Sequence, residues 1–210
     1  MSNLALQSNS AKDELTQLAM KIIAEKGKKI DRSDLASAAG IARARIEAVF
    51  PEEHDLFDAI AGAWYAPDAS IMEEVIASSL PIERKFYEFF ARRFTRDQER
   101  YLADPALYAL YLELGEAHFE HVRGYIDLAD HYLTELIVQA QDEGYFAGLD
   151  IARALTLINQ MLVCYTSPQM MLIIDARLTA DKLGAIIDTI FAGLAAKESG
   201  SASASGLSAI

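Results

Sequence analysis

The sequence contains a single cysteine, Cys164, in 210 residues, so no disulfide can form within the chain. Such sparse use of cysteine is typical of a reducing compartment. Residues 1–10, MSNLALQSNS, lack the basic start and the apolar run of a signal peptide. The nearest approach to a membrane span, INQMLVCYTSPQMMLII, is interrupted by polar residues and a proline before it reaches about 18 apolar residues. These absences predict a cytoplasmic protein without a membrane partner.

Catalytic signatures are also absent. The sequence has no glycine-rich phosphate loop, no Gly-x-Ser-x-Gly elbow, no His-Glu-x-x-His motif and no Cys-x-x-Cys motif. The alternation of apolar and polar residues that marks β-strands is missing as well. We therefore expect a protein that is not an enzyme and that has no strands, no cofactor and no bound metal.

Helical periodicity is what the sequence does contain, together with 52% hydrophobic residues. Apolar residues recur with helical spacing before Gly27, and Asp31 and Gly40 suit the two ends of a short second helix. The same criteria apply along the rest of the chain. Helices are predicted over 14–26, 31–40, 42–50, 52–65, 81–101, 105–119, 122–143, 150–165 and 179–197. The pattern indicates an all-α protein with short helices first and a bundle of long helices after them.

Charge is distributed unevenly. The net charge is −12, which argues against a protein that coats nucleic acid generally. Residues 11–50 nevertheless carry eight basic and six acidic side chains, whereas residues 61–210 carry 11 basic and 21 acidic ones. The chain thus has a mildly basic N-terminal part and a strongly acidic remainder.

The segment LASAAGIARARIEAVFP has the requirements of a helix-turn-helix motif. Ala36 is small enough for two helices to touch, and Gly40 can take the positive φ of the turn. Ile46, Val49 and Phe50 share one helical face and are expected to face the core. Ala44 and Ala48 then point outward, with Arg45 on one side and Glu47 on the other.

The stretch LAMKIIAEKGKKIDRSDLASAAGIARARIEAVFPEEHDLFDAI resembles the N-terminal domain of the tetracycline-repressor (TetR) family of bacterial transcription regulators. The matching motifs are Glu25-Lys26-Gly27, Leu35 to Ile41, Phe50-Pro51 and Leu56-Phe57. The resemblance implies an N-terminal three-helix DNA-binding domain, 11–58, followed by a helical-bundle ligand-binding and dimerisation domain, 59–197. Residues 1–10 and the low-complexity segment 198–210 are expected to be flexible.

The departures from the family pattern concern phosphate contacts. A small hydroxyl residue usually opens the recognition helix, where this sequence has Ala42, and an aromatic residue usually stands where it has Glu47. A lysine usually begins the fourth helix, where it has Glu53. Each lost phosphate contact weakens the salt-dependent part of DNA affinity, and acids facing phosphate add repulsion.

Two accounts of this segment remain open. In the first, arginines replace the lost contacts, Glu47 accepts from cytosine, and the chain binds double-stranded operator DNA. In the second, the fold survives with weak or lost DNA binding, and the chain is a small-molecule-binding dimer. The predicted DNA-binding residues are Lys28, Lys29, Arg32, Ser33, Ala42, Arg43, Ala44, Arg45, Glu47, Ala48 and His54.

The resemblance further implies a ligand-responsive regulator of the repressor type that binds a palindromic operator as a homodimer. Two clusters rich in tyrosine and methionine suit a small, largely apolar or aromatic effector. The predicted ligand-binding residues are Tyr101, Tyr108, Tyr111, His118, Tyr125, Asn159, Met161, Cys164 and Tyr165. Apolar stripes on the last two long helices predict the dimer contacts, which are Leu155, Ile158, Leu162, Leu183, Ile187, Ile190, Phe191 and Leu194.

A metal-binding helical bundle is the remaining alternative. His118 and His121 share a helical face, with several acids and His131 nearby. A di-iron bundle, however, needs Glu-x-x-His on two helices, and no glutamate precedes any histidine by three positions. Solvated acidic helix faces explain these residues more simply.

Overall fold

The computed structural model describes residues 3–195, except for the side chains of residues 3–9, 121 and 195. Within this range the chain is all-helical, as predicted. The ten α-helices are α1 (Asn3–Lys26), α2 (Arg32–Ala39), α3 (Arg43–Val49), α4 (Glu53–Ala77), α5 (Ile82–Ala103), α6 (Pro105–Ala117), α7 (Phe119–Asp142), α8 (Ile151–Thr166), α9 (Pro168–Ile174) and α10 (Ala180–Ala195), with a 3₁₀ turn at Asp175–Arg177. The predicted tail, 198–210, lies outside the described residues, as do residues 1 and 2.

The described chain divides into two compact units. The first unit comprises the residues up to Ser70 together with Arg100–Asp127, and the second comprises Ile71–Glu99 together with the residues from Leu128 onward. The predicted domain boundary at residue 58 rests on the resemblance to the family, whereas the two units are defined by contacts between residues. The boundary therefore stays a prediction.

Local capping rules set the ends of α2. The Asp31 side chain accepts a hydrogen bond from the Asp34 amide at 2.7 Å, and the Asp34 side chain accepts one from the Asp31 amide at 3.4 Å. This reciprocal box stabilises the first turn of the helix. At the other end Gly40 has a φ of +65°, a value that an L side chain rarely adopts. Both caps confirm the sequence prediction.

The core of the first unit includes residues from outside the helix-turn-helix. Ile23, Leu35, Ile46 and Phe50 are fully buried, as their helical positions predicted. Leu56 and Ile60 of α4 join the same cluster, and so do Tyr111 and Leu114 of α6. The helices that carry the predicted DNA-binding face therefore share one apolar core with α4 and α6.

The prediction that the fourth helix ends near Tyr65 is wrong, because α4 continues through Pro67 to Ala77. A proline inside a helix removes a backbone hydrogen bond and crowds the preceding turn. Arg100 contacts the same turn: its Nη2 donates to the Trp64 carbonyl at 2.6 Å, and its guanidinium lies 4.0 Å from the Trp64 ring centroid. Nη1 also lies 3.6 Å from the Asp68 carboxylate, so Arg100 braces both sides of the proline.

The second unit has an aromatic core. Phe86 packs edge to face against Phe191 and Phe146, with ring centroids 5.0 and 6.0 Å apart. Helix α8 ends at Thr166 as predicted, and α9 begins at Pro168. No single described helix is both long and apolar enough to cross a membrane, although the bent pair Ile151–Thr166 and Pro168–Arg177 has sufficient length and composition.

Candidate nucleic-acid interface and ligand cavity

The outward face of α3 is composed of small and basic residues. Ala42, Ala44, Arg45 and Ala48 are exposed, while Ile46 on the opposite side is fully buried. The Arg45 guanidinium has no ion-pair partner in the part of the chain that the structure describes. A short exposed helix with alanines at its centre allows the close approach that contact with base edges requires.

Glu53 and Arg32 form a lock between the start of α2 and the start of α4. Glu53 accepts from the Arg32 amide at 3.1 Å and from Nε at 2.9 Å, while Nη1 donates to the carbonyls of Phe50 and Pro51. The Arg32 side chain is only 13% exposed. Arg32 therefore holds the α3–α4 turn, and its contact with the DNA backbone stays a prediction.

Glu47 is also paired, with Arg43 one turn before it on α3. The Arg43 Nε donates to Glu47 Oε1 at 2.8 Å, and Nη1 donates to Ser33 Oγ at 3.1 Å. Both acids that depart from the family pattern are thus neutralised by arginines of the same unit. Their repulsion of a phosphate is reduced, and at the same time two predicted DNA contacts are engaged within the protein.

The remaining predicted DNA contacts lie around α3. Lys28 and Lys29 are exposed in the turn before α2. The Lys26 ammonium hydrogen-bonds Asp34 and lowers the pKa of that carboxyl, with smaller contributions from the Asp31 amide and from the charge of Lys28. His54 is exposed in the first turn of α4, with Nε2 lying 3.5 Å from Asp55.

Within the described part of the chain, His54, Asp55 and Asp58 bring three potential metal ligands within 4.8 Å of one another. Asp55 has a simpler role, because it accepts from the Glu52 amide at 2.7 Å and so caps α4. Other candidates of the metal alternative have ordinary partners: His118 stacks on Phe57, and His131 lies 3.0 Å from Glu135. The His121 side chain lies outside the described residues.

A small cavity lies inside the first unit, between α4, α6 and α7. Its volume is about 30 Å³, enough for a water molecule and far below the hundreds of Å³ of a pocket that holds an organic ligand. Two predicted ligand-binding residues, Tyr111 and His118, lie on its wall. The lining residues are Phe57, Ile60, Ala61, Trp64, Tyr65, Tyr111, Leu114, Gly115, His118 and Val122.

Stacked aromatic pairs form much of the cavity wall. Trp64 stacks on Tyr111 with centroids 4.0 Å apart, and Phe57 stacks on His118 at 4.2 Å. Tyr65 stacks on Tyr125 at 4.1 Å. The α4 members of these pairs are not among the predicted ligand-binding residues, which were taken from the two clusters rich in tyrosine and methionine further along the chain. Their spacing of seven and eight residues, which places them on one helical face, was the available signal.

Burial raises the pKa of the Tyr111 hydroxyl to about 12, and the nearby Arg100 charge opposes this rise. Tyr108 is buried beside Trp64 and meets Tyr101 edge to face at 5.8 Å. Tyr111 is therefore a neutral packing group at physiological pH.

The predicted ligand-binding residues of α8 belong to the second unit. The Asn159 amide donates to Asp130 at 2.8 Å, and the buried Tyr165 hydroxyl donates to the Thr179 carbonyl at 3.2 Å. Met161 is exposed and Cys164 is half-buried. The structure thus places the two predicted ligand clusters in different units.

Most of the predicted dimer residues are used inside the single chain. Side chains that one chain already buries offer little surface to a second copy, and the dimer role of these residues stays a prediction. Exposed apolar neighbours remain on the same helices, including Met161 and Val163 of α8. Leu155 and Leu194 are half-buried. The buried residues are Ile158, Leu162, Leu183, Ile187, Ile190 and Phe191.

The helix-turn-helix with its exposed α3, followed by long helices, defines an all-helical protein with the architecture of a transcriptional regulator. The family model described as "Tetracyclin repressor-like, C-terminal domain" matches residues 83–187, which is half of the chain. The chain belongs to the TetR family of transcriptional regulators, as the N-terminal resemblance indicated.

Solved structures agree on the fold. A TetR-family transcriptional regulator from Mesorhizobium loti matches with a TM-score of 0.62 at 15% identity, covering 88% of this chain and 95% of that one. The fatty acid degradation regulator FadR from Bacillus halodurans matches at 0.56 and 21% identity, covering 90% and 96%. FadR from Bacillus subtilis, solved in complex with stearoyl-CoA, matches at 0.54 and 21%, covering 85% and 97%. No curated protein sequence matches.

Proposed function

We propose that this chain is a ligand-responsive transcriptional repressor that binds a palindromic operator as a homodimer. The observation that carries the proposal is the exposed face of α3, where Ala44, Arg45 and Ala48 point outward. Glu47 and Glu53 oppose DNA binding less strongly than their charge suggests, because Arg43 and Arg32 pair with them. Membership of the family supplies the regulatory context.

The electrostatic part of the affinity is expected to come from few groups. Arg45, Lys28 and Lys29 are exposed cations near α2 and α3, and none of them pairs with Glu47 or Glu53. Each phosphate contact contributes roughly −0.9 to the slope of the logarithm of the binding constant against the logarithm of the salt concentration. Because few groups make such contacts, we expect the DNA affinity to depend only weakly on salt. Specificity must then rest largely on contacts with bases.

The effector is proposed to be largely apolar and to act on the cavity of the first unit. The cavity is too small for such a molecule, so binding must select a conformation in which α4, α6 and α7 are further apart. Tyr111 lies on the cavity wall and also belongs to the apolar core that holds Leu35 and Ile46. The stearoyl-CoA complex of the Bacillus subtilis relative makes long-chain acyl-CoA the first effector to test.

The dimer surface is proposed to include the exposed apolar side chains of α8. Val163 is 47% exposed although it lies in a helix whose other side is core. A second copy of the chain would remove this apolar surface from water, which stabilises association. Two-fold symmetry would place two α3 helices on successive turns of a palindromic site.

The test is a fluorescence-anisotropy titration of the full chain against labelled duplexes from its own upstream region, at several salt concentrations. Arg45→Ala is expected to weaken binding and to reduce the salt slope by roughly 0.9, whereas Arg177→Ala, which removes a charge in the second unit, is expected to change neither. A folded dimer without specific binding at low salt would refute the repressor proposal. The chain would then be a small-molecule-binding protein of the same fold.

A further inference from the structure

The Arg43 guanidinium is held from two sides by residues of different helices. Glu47 on α3 accepts from Nε at 2.8 Å, and Ser33 on α2 accepts from Nη1 at 3.1 Å. The side chain is nevertheless 59% exposed. Arg43 is therefore both oriented by its neighbours and accessible from outside.

The two neighbours leave the tip of the guanidinium available. A guanidinium has five N–H donors, of which Glu47 and Ser33 take one on Nε and one on Nη1. The donors that remain belong to Nη2 and to the second N–H of Nη1. Two N–H groups at the end of an arginine fork form the pair that binds O6 and N7 of guanine.

Stabilisation of α3 is a weak explanation for the Arg43–Glu47 pair. Exposed pairs four residues apart contribute only about 0.3–0.5 kcal/mol, and the order with the acid C-terminal to the base is the less favourable one. Orientation is a larger effect, because an arginine side chain has about 2 kcal/mol of rotamer entropy to lose when it binds. A neighbour that fixes the side chain beforehand removes part of that cost.

We infer that Glu47 and Ser33 are positioning residues that hold Arg43 to read a guanine in each operator half-site. The inference rests on the proposed function and deepens it, since it assigns a base to one residue of α3. It also reverses the expected effect of Glu47 on DNA affinity. An acid that only repels DNA lowers affinity for every sequence equally, whereas an acid that positions Arg43 raises affinity for sequences with the guanine.

The experiment compares an operator duplex with duplexes in which single guanines are replaced by 7-deazaguanine, which lacks the N7 acceptor. At one guanine per half-site the wild-type chain is expected to lose affinity by about 2- to 12-fold, because 7-deazaguanine removes one of the two hydrogen bonds of a bidentate contact worth about 5- to 150-fold. Arg43→Ala is expected to bind the two duplexes equally. Glu47→Ala is expected to bind the operator more weakly and to retain only part of the discrimination.

Two further variants separate positioning from charge. Glu47→Gln keeps an acceptor oxygen at the same reach and should recover part of the discrimination that Glu47→Ala loses. Glu52→Ala removes an exposed acid from the same unit and should leave the discrimination unchanged. Ser33→Ala is expected to reduce discrimination in the same direction as Glu47→Ala.

The outcomes distinguish the inference from the proposed function. If Glu47→Ala binds all duplexes more tightly and keeps the full response to 7-deazaguanine, Glu47 is only a repulsive charge and the inference is overturned. The same holds if no single guanine replacement affects the wild-type chain. If the wild-type chain binds no duplex specifically, the proposed function fails first, and the inference fails with it.

Discussion

Replacing Glu53 should destabilise the first unit, although the family pattern would favour a lysine at this position for DNA binding. The carboxylate receives two hydrogen bonds from Arg32, one from the amide and one from Nε. Removing it leaves a guanidinium that is only 13% exposed without its counter-charge. The carbonyls of Phe50 and Pro51 still accept from Nη1, so the loss is partial.

The magnitude follows from these contacts. A hydrogen bond to a charged group contributes about 1.5–3 kcal/mol, but the Glu53 side chain is 42% exposed, which reduces its share. We expect Glu53→Gln to cost about 1 kcal/mol and Glu53→Ala about 1–2 kcal/mol. Glu53→Lys adds repulsion of Arg32 and should cost about 2–3 kcal/mol.

The assay is urea unfolding followed by fluorescence of Trp64, the one tryptophan of the chain, which lies in the first unit. Each kcal/mol should also lower the melting temperature by roughly 2–4 °C. Glu52→Gln is the matched control, because Glu52 is an exposed neighbouring acid. If Glu53→Lys is as stable as the wild-type chain and simply binds DNA more tightly, Glu53 is a surface acid and the lock does not exist.

Three further outcomes are expected. The folded pKa of Tyr111 is about 12 and an unfolded tyrosine titrates near 10, so its contribution to stability should be complete below about pH 10 and lost as pH rises toward 12. Tyr111→Phe should remove a step near pH 12 from the tyrosinate absorbance titration, and an unchanged titration would contradict this assignment. In analytical ultracentrifugation, Val163→Asp should convert the dimer to a 23.1 kDa monomer, whereas the control Leu102→Asp, at an exposed site of the first unit, should remain a dimer. A monomeric wild-type chain would contradict the dimer proposal. Stearoyl-CoA should change Trp64 fluorescence, and Ala61→Leu, which fills the cavity, should abolish that change; an unaltered response in the variant would place the effector elsewhere.

The ends of α2 could be predicted from the sequence, because they depend on interactions between residues close together in the chain. The box formed by Asp31 and Asp34 and the positive φ of Gly40 each depend on residues within one turn. The continuation of α4 through Pro67 is not decided locally, and Arg100, which is distant in sequence, donates to the Trp64 carbonyl in the turn next to this proline. A prediction that ends every helix at a proline therefore places the end of α4 too early.

In the candidate site, too, the features that depend on nearby residues could be predicted and those that depend on distant residues could not. The outward direction of Ala44 and Ala48 follows from helical spacing, and the structure has them exposed. That Glu53 pairs with Arg32 could not be predicted, because 21 residues separate them and only the packed helices bring them together. The apolar stripe of α10 was ambiguous for another reason: core and interface use the same residue types, and burial alone separates them.

The lock between Arg32 and Glu53 has a consequence for relatives of this chain and for anyone who transfers its recognition helix to another scaffold. A family member with lysine at position 53 gains nothing from an arginine at position 32, and one that keeps the arginine leaves two like charges side by side. The two positions should therefore be inherited as a pair, acid with arginine or lysine with a residue that is not basic. A hybrid that takes one without the other is expected to fold less stably than either parent.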